Sequence, residues 1–310
     1  MKFDVHNHAI PEECIEWLRR KGQTFRVTIE DGEPPYLRHA AGYGYPLRPS
    51  FYDVRCKLER LAAKGFDSAL ISLAPSLFFY DVIIDEARHF ARVANRSLAE
   101  MARQYPEGLR FAATLPLQDM DAAMEELQSA RALPGFAALM VGTSVNGVPL
   151  YDGRFAVLWQ TCQQYELPVI LHPSYVGYRT ALADYYMTNV LGNPMETTLA
   201  SMRLASAGLL EQNPELQIVL VHGGGCLPYL MGRLAQARKV QPELAGAPRE
   251  LGGYERRFFY DSLVYRPEVL RFLIEFVGPD GRPLRHGGRR SARVTASGYV
   301  WRFGHAFDDP

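Results

Sequence analysis

Three apolar runs in this chain each end in histidine, and that repetition restricts its possible folds more than any other feature. Phe3 and Val5 lead into His6-Asn7-His8; Leu167-Pro168-Val169-Ile170-Leu171 leads into His172; Leu216-Gln217-Ile218-Val219-Leu220-Val221 leads into His222. Short apolar runs of this kind suit strands buried on both faces, as in a parallel sheet covered by helices. Side chains at i and i+2 of a strand point to the same side, so His6 and His8 present two imidazoles together. A parallel barrel that collects its chemistry at the carboxyl ends of its strands accounts for all three endings at once.

The rest of the chain supplies the units such a barrel needs. Apolar runs at 68–74, 109–117, 136–141 and 258–264 read as further strands. Between them, helical spacing covers 54–64, 82–105, 119–132, 155–165, 195–212, a stretch after Gly225, and 267–277. That makes seven βα units, and an eighth is needed for closure. Residues 20–54 interrupt the pattern with a hairpin signal: Phe25–Ile29, then Asp31-Gly32, then Tyr36–Arg38. At 310 residues and 47% hydrophobic, the chain can bury one large core. The expected fold is a distorted TIM (β/α)8 barrel over residues 1–278, with the insertion at 20–54.

Several function classes are disfavoured. No run of eighteen apolar residues exists, so no membrane span is expected. No basic segment followed by an apolar stretch opens the chain, so no secretion signal is expected. Cys14, Cys56, Cys162 and Cys226 are scattered, as reduced cytoplasmic thiols would be. The formal net charge is zero and no basic stripe is present, which argues against nucleic acid as a partner.

The histidines carry the chemistry. Neutral imidazoles favour zinc or a similar divalent metal such as manganese or cobalt, bound at about 2.0–2.1 Å. His6, His8 and His172 make three ligands and leave positions open for water and substrate, as a catalytic site requires. His222 is followed by Gly223-Gly224-Gly225, which lets backbone approach a ligand closely. It is expected either as a fourth ligand or as the acid–base group beside the metal. His39, His89, His286 and His305 lack any comparable spacing.

These segments, together with Gly192-Asn193-Pro194-Met195-Glu196-Thr197-Thr198 and His222-Gly-Gly-Gly-Cys-Leu-Pro-Tyr-Leu-Met-Gly-Arg233, carry a family likeness. Over residues 1–278 the chain resembles the amidohydrolase-related metal-dependent decarboxylases of the aminocarboxymuconate-semialdehyde decarboxylase type. The resemblance implies a distorted TIM barrel with one zinc-type metal on His6, His8 and His172. It makes His222 the catalytic base, and the reaction the non-oxidative loss of carbon dioxide from an unsaturated or aromatic carboxylic acid. It also implies that Arg48 and Arg233 hold the substrate, Arg233 across a homodimer interface; guanidinium groups suit planar carboxylates. The same site parts could instead hydrolyse a lactone or ring-cleavage product. A third reading is an inactive barrel kept as a binding or dimer partner.

The tail departs from the family pattern. The resemblance implies a further acidic metal ligand at the end of strand eight, which falls on Gly287 here. Residues 281–310 hold six arginines, no lysine and two acids, Asp308 and Asp309; without them, 28 basic and 32 acidic residues leave a net charge of −4. Read one nucleotide later, codons for Pro283–Gly287 can yield an acid at the awaited position. Residues 279–310 are therefore expected to be atypical, frame-shifted or disordered, and the eighth strand incomplete.

Overall fold

The computed structural model describes residues 2–174, 182–277, 285–286 and 289–290. Its backbone groups into two compact units, divided between Met140 and Val141. The first opens with β1 (Phe3–Ala9) and α1 (Glu12–Phe25). α1 departs from the expectation, because the insertion assigned from residue 20 cuts across it. Cys14, Ile15, Leu18 and Phe25 form its buried stripe, and Glu12 and Glu13 occupy its first turn, where negative charge complements the helix dipole. Arg26 ends it in the left-handed conformation at φ 53°, with its N–H bonded back to the Gln23 and Gly22 carbonyls.

The insertion itself is an antiparallel sheet of three strands, β2 (Val27–Glu30), β3 (Tyr36–His39) and β4 (Gly44–Pro46), one more than the hairpin signal predicts. The unit continues with α2 (Val54–Ala63), β5 (Ser68–Leu73), α3 (Ile84–Gln104), β6 (Leu109–Ala113), α4 (Met120–Arg131) and β7 (Phe136–Val141). Asp53 caps α2 by accepting from Cys56 N, and Asp119 caps α4 by accepting from Ala122 N. Every residue of β5 is buried, Ser68 and Ser72 included, as in a strand covered on both faces. β1, β5, β6 and β7 pair in parallel in that order.

The second unit begins with a small hairpin, β8 (Ser144–Val145) and β9 (Val148–Pro149), followed by α5 (Ala156–Gln164) and β10 (Val169–Leu171). A π-helical turn at Thr188–Gly192 runs into α6 (Asn193–Ser206), and α7 (Leu209–Gln212) follows. The single helix expected over 195–212 is split at Gly208, which sits at φ 68°. Then come β11 (Ile218–Leu220), α8 (Leu227–Val240), β12 (Phe259–Tyr260) and α9 (Pro267–Val277). β10, β11 and β12 pair in parallel, and His172 N donates to Val141 O.

Seven strands thus belong to one sheet, ordered β1-β5-β6-β7-β10-β11-β12, with each histidine motif at the end of its strand. β13 (Arg285–His286) and β14 (Arg289–Arg290) pair with each other in a separate antiparallel sheet. Position 287, where the acid is awaited, lies outside the described residues, as does most of 279–310. Among the described residues, no helix is long and apolar enough to cross a membrane.

His39 ties the insertion to pH. It is buried in β3, stacked on Tyr43 with ring centroids 4.1 Å apart, and burial pushes its pKa down to about 4. An unfolded chain takes up that proton near pH 6.5, whereas the fold refuses it until about pH 4. The unfolded state therefore binds more protons across this window, and stability falls as the pH drops through it. At about 1.4 kcal/mol per pKa unit, the loss is of the order of 3 kcal/mol. Denaturant midpoints at pH 7 and 4.5 should differ less in His39→Gln than in the unchanged chain. Equal differences would exclude His39 as the source.

Candidate metal and catalytic centre

In the first unit, the alternation of β1 brings His6 and His8 together. Their Nε2 atoms are 3.1 Å apart and their rings meet edge to face, centroids 4.8 Å apart. Two ligands on one cation at about 2.1 Å lie about 3.0–3.4 Å from each other, so the pair fits a shared metal. The donor chemistry agrees. Ser72 Oγ donates to Asn7 O at 3.4 Å and so accepts from His8 Nδ1 at 3.3 Å, which leaves His8 Nε2 with its lone pair.

Beneath the pair lies a buried polar network. β1 shifts register against β5 between Asp4 and Asn7. Asp4, wholly buried, accepts from His6 N at 3.0 Å and from Asn7 Nδ2 at 2.9 Å. Lys57 reaches in from α2, also buried, and its Nζ donates to Asn7 Oδ1 at 2.8 Å and His8 O at 2.9 Å. Burial raises the Asp4 carboxyl above the usual carboxylate range and pushes the Lys57 ammonium down to about 7. Lys57 escaped the sequence reading, yet a signal was there: with Val54 and Leu61 it occupies the buried stripe of α2, an unusual place for lysine.

The second unit holds the other two histidines. His172 is buried just past β10, and its Nδ1 donates to Pro173 O at 2.9 Å; a carbonyl can only accept, so Nε2 again keeps the lone pair. The His222 ring lies edge to face with it, centroids 5.1 Å apart. Thr197 Oγ1 donates to Asn193 O at 3.2 Å and is placed to accept from His222 Nδ1 at 3.4 Å. The backbone here is unusual: His222 sits at φ 58°. Asp261, just past β12, accepts from His222 N at 2.9 Å and Gly223 N at 2.7 Å. Neither Thr197 nor Asp261 was assigned a role from the sequence. Asp261 does follow an apolar strand, as the histidines do.

His6 and His8 thus stand in the first unit and His172 in the second, each near the end of its strand. Arg48 is half-buried and lines a cleft with Pro34, Pro46, Tyr52 and Arg60. The turn it opens is tied to the end of β1 by Ile10 N donating to Phe51 O at 2.9 Å. Arg233 is exposed on α8, one turn beyond Tyr229.

Asp4→Ala would strip the acceptor from the His6 N–H and from Asn7, and would remove a carboxyl that acts electrostatically on the buried Lys57. A loss of about 2–4 kcal/mol in denaturant unfolding is expected. A loss under about 0.5 kcal/mol, the usual range of a surface change, would mean that the carboxylate does not hold this strand end.

Comparisons with known proteins bear on the family and the fold. The amidohydrolase family model matches residues 3–281, ending where the arginine-rich tail begins. The 2-amino-3-carboxymuconate-6-semialdehyde decarboxylase of Dictyostelium discoideum is 24% identical over 285 residues, covering 90% of this chain and 79% of its own. The gamma-resorcylate decarboxylase of Rhizobium sp. (strain MTP-10005) is 32% identical over 285 residues, covering 82% and 85%. Among solved structures, the dihydroxybenzoic acid decarboxylase of Polaromonas sp. JS666, with bound manganese and the inhibitor 2-nitroresorcinol, superposes with a TM-score of 0.69. It is 25% identical and covers 90% of this chain and 84% of its own. The fold is the distorted TIM barrel expected. The chain belongs to the amidohydrolase family, among its decarboxylases.

Proposed function

We propose that this protein removes carbon dioxide, without oxidation, from an aromatic or unsaturated carboxylic acid, using one divalent metal. The observation that carries the reading is His222, whose Nδ1 faces a hydroxyl already committed as a donor, so that the neutral ring carries its N–H on Nδ1 and its basic lone pair on Nε2. His6, His8 and His172 are the ligands we assign. Three imidazoles favour zinc, with manganese and cobalt as the other metals to test. A divalent cation in this set would supply Lewis acidity, polarising a substrate oxygen.

His222 takes up a proton from water at Nε2 and delivers it to the carbon that bears the carboxylate. The bond from that carbon to the carboxyl carbon then breaks, its electron pair restores the unsaturation, and carbon dioxide leaves. Arg48 and Arg233 are assigned to the substrate carboxylate, held by paired hydrogen bonds. We further propose a homodimer: Met195 and Leu199 share an exposed face of α6, and Tyr229, 81% exposed, lies one turn from Arg233. A cytoplasmic location is in keeping with four free cysteines. With Gly287 in place of the awaited acid, metal retention should be weaker than in a relative that keeps a fourth protein ligand.

The test is carbon dioxide release from γ-resorcylate and from 2-amino-3-carboxymuconate-6-semialdehyde, with and without added zinc, manganese or cobalt. Chelation should abolish release and a metal should restore it. His6→Ala and His172→Ala should lose metal, whereas His222→Ala should keep metal and lose about 10²–10⁴-fold in turnover. Release that survives complete metal removal, or an unimpaired His222→Ala, would sink the reading. Hydrolysis without carbon dioxide would favour the hydrolase instead, and metal binding without turnover the inactive barrel.

A further inference from the structure

We propose that Asp261 is the positioning residue for His222, holding the histidine backbone in a conformation it would not otherwise keep. The proposal rests on the assignment of proton transfer to His222. Four consecutive residues have positive φ: His222 at 58°, Gly223 at 59°, Gly224 at 76° and Gly225 at 63°. The glycines adopt such angles freely, and a residue with a Cβ does not. The strain of the turn is therefore concentrated at the one residue whose side chain does the chemistry.

A left-handed residue turns successive backbone N–H groups toward a common point, a concavity suited to an anion. Here the anion belongs to the protein. Asp261, 2% exposed, places Oδ2 against His222 N at 2.9 Å and Oδ1 against Gly223 N at 2.7 Å, and Oδ1 also accepts from Leu263 N at 3.1 Å. Without the carboxylate, these N–H groups would be left to find other partners, and His222 could relax to negative φ. That relaxation swings its Cα–Cβ bond, and with it the ring, away from Thr197 and from His172. The carboxylate thus acts on the reaction through ring position, although it touches only backbone.

Asp261→Asn keeps the size of the side chain and turns one acceptor into a donor, which opposes an N–H group. The variant should lose about 100-fold in kcat, as misplacement of a reacting group by about 1 Å does, with KM and bound metal little changed. A purely structural role is separated by melting temperatures. Glycine at 222 adopts positive φ without strain, so Asp261→Asn should cost fewer degrees in a His222→Gly background than in the unchanged chain. Unimpaired kcat, or the same fall in melting temperature in both backgrounds, would overturn the proposal. If Asp261→Asn alone does not fold, a folded double variant with His222→Gly supports it and an unfolded one overturns it. Should the unchanged protein release no carbon dioxide under any condition, the decarboxylase reading fails, while the melting comparison still decides the role of Asp261.

Discussion

A parallel strand that ends inside a protein leaves backbone N–H and C=O groups without ladder partners, and burying them unpaired is costly. This chain meets the difficulty with polar side chains set beside its histidines. Asp4 takes the N–H of His6, Lys57 takes the C=O of His8, Asp261 takes the N–H groups of His222 and Gly223, and Thr198 Oγ1 takes the N–H of Cys226. Each bond satisfies the backbone and fixes the position of a neighbouring imidazole. Site and strand end are one construction, and the device appears separately in each unit.

The same logic governs the rings. What one imidazole nitrogen can do depends on what holds the other. Nδ1 of His8, His172 and His222 each has an oxygen partner: Ser72 Oγ, Pro173 O and Thr197 Oγ1. In each case that partner is placed to accept, which leaves Nε2 with its lone pair. A histidine packed only for bulk would need no such uniformity. The arrangement suits both a metal ligand, which must be unprotonated at the binding nitrogen, and a base, which must be unprotonated at the receiving one.

Much of this was legible in the sequence, for a physical reason. Strands buried on both faces are mostly apolar, so β5, β7 and the ends of β1, β10 and β11 were marked by composition alone, histidines included. Contributions from side chains to backbone were not legible. The apolar run at 258–264 suggested seven residues of strand, but β12 is two residues long; Asp261 N still donates to Leu220 O, while its carboxylate takes the N–H groups of His222 and Gly223. The buried positions of α1 repeat at helical spacing, but its second half overlaps the span assigned to the insertion. Thr197 lay within a motif of the family likeness but carried no role of its own, because a role such as its contact with His222 depends on a partner 25 residues away.

The two longest motifs turn out to be halves of one object. Thr197 meets the His222 ring, and Thr198 Oγ1 donates to Pro194 O while accepting from Cys226 N at 2.7 Å, the residue before α8. Gly225 closes the same junction: a Cβ there would stand 2.1 Å from Pro194 O, so no other residue fits without moving α6. The segment 192–198 therefore does not need substrate contacts to account for its residue types. Its proline carbonyl, its paired threonines and the third glycine after His222 are complementary surfaces of one joint. A change on one side that is not matched on the other would strain the joint that carries His222.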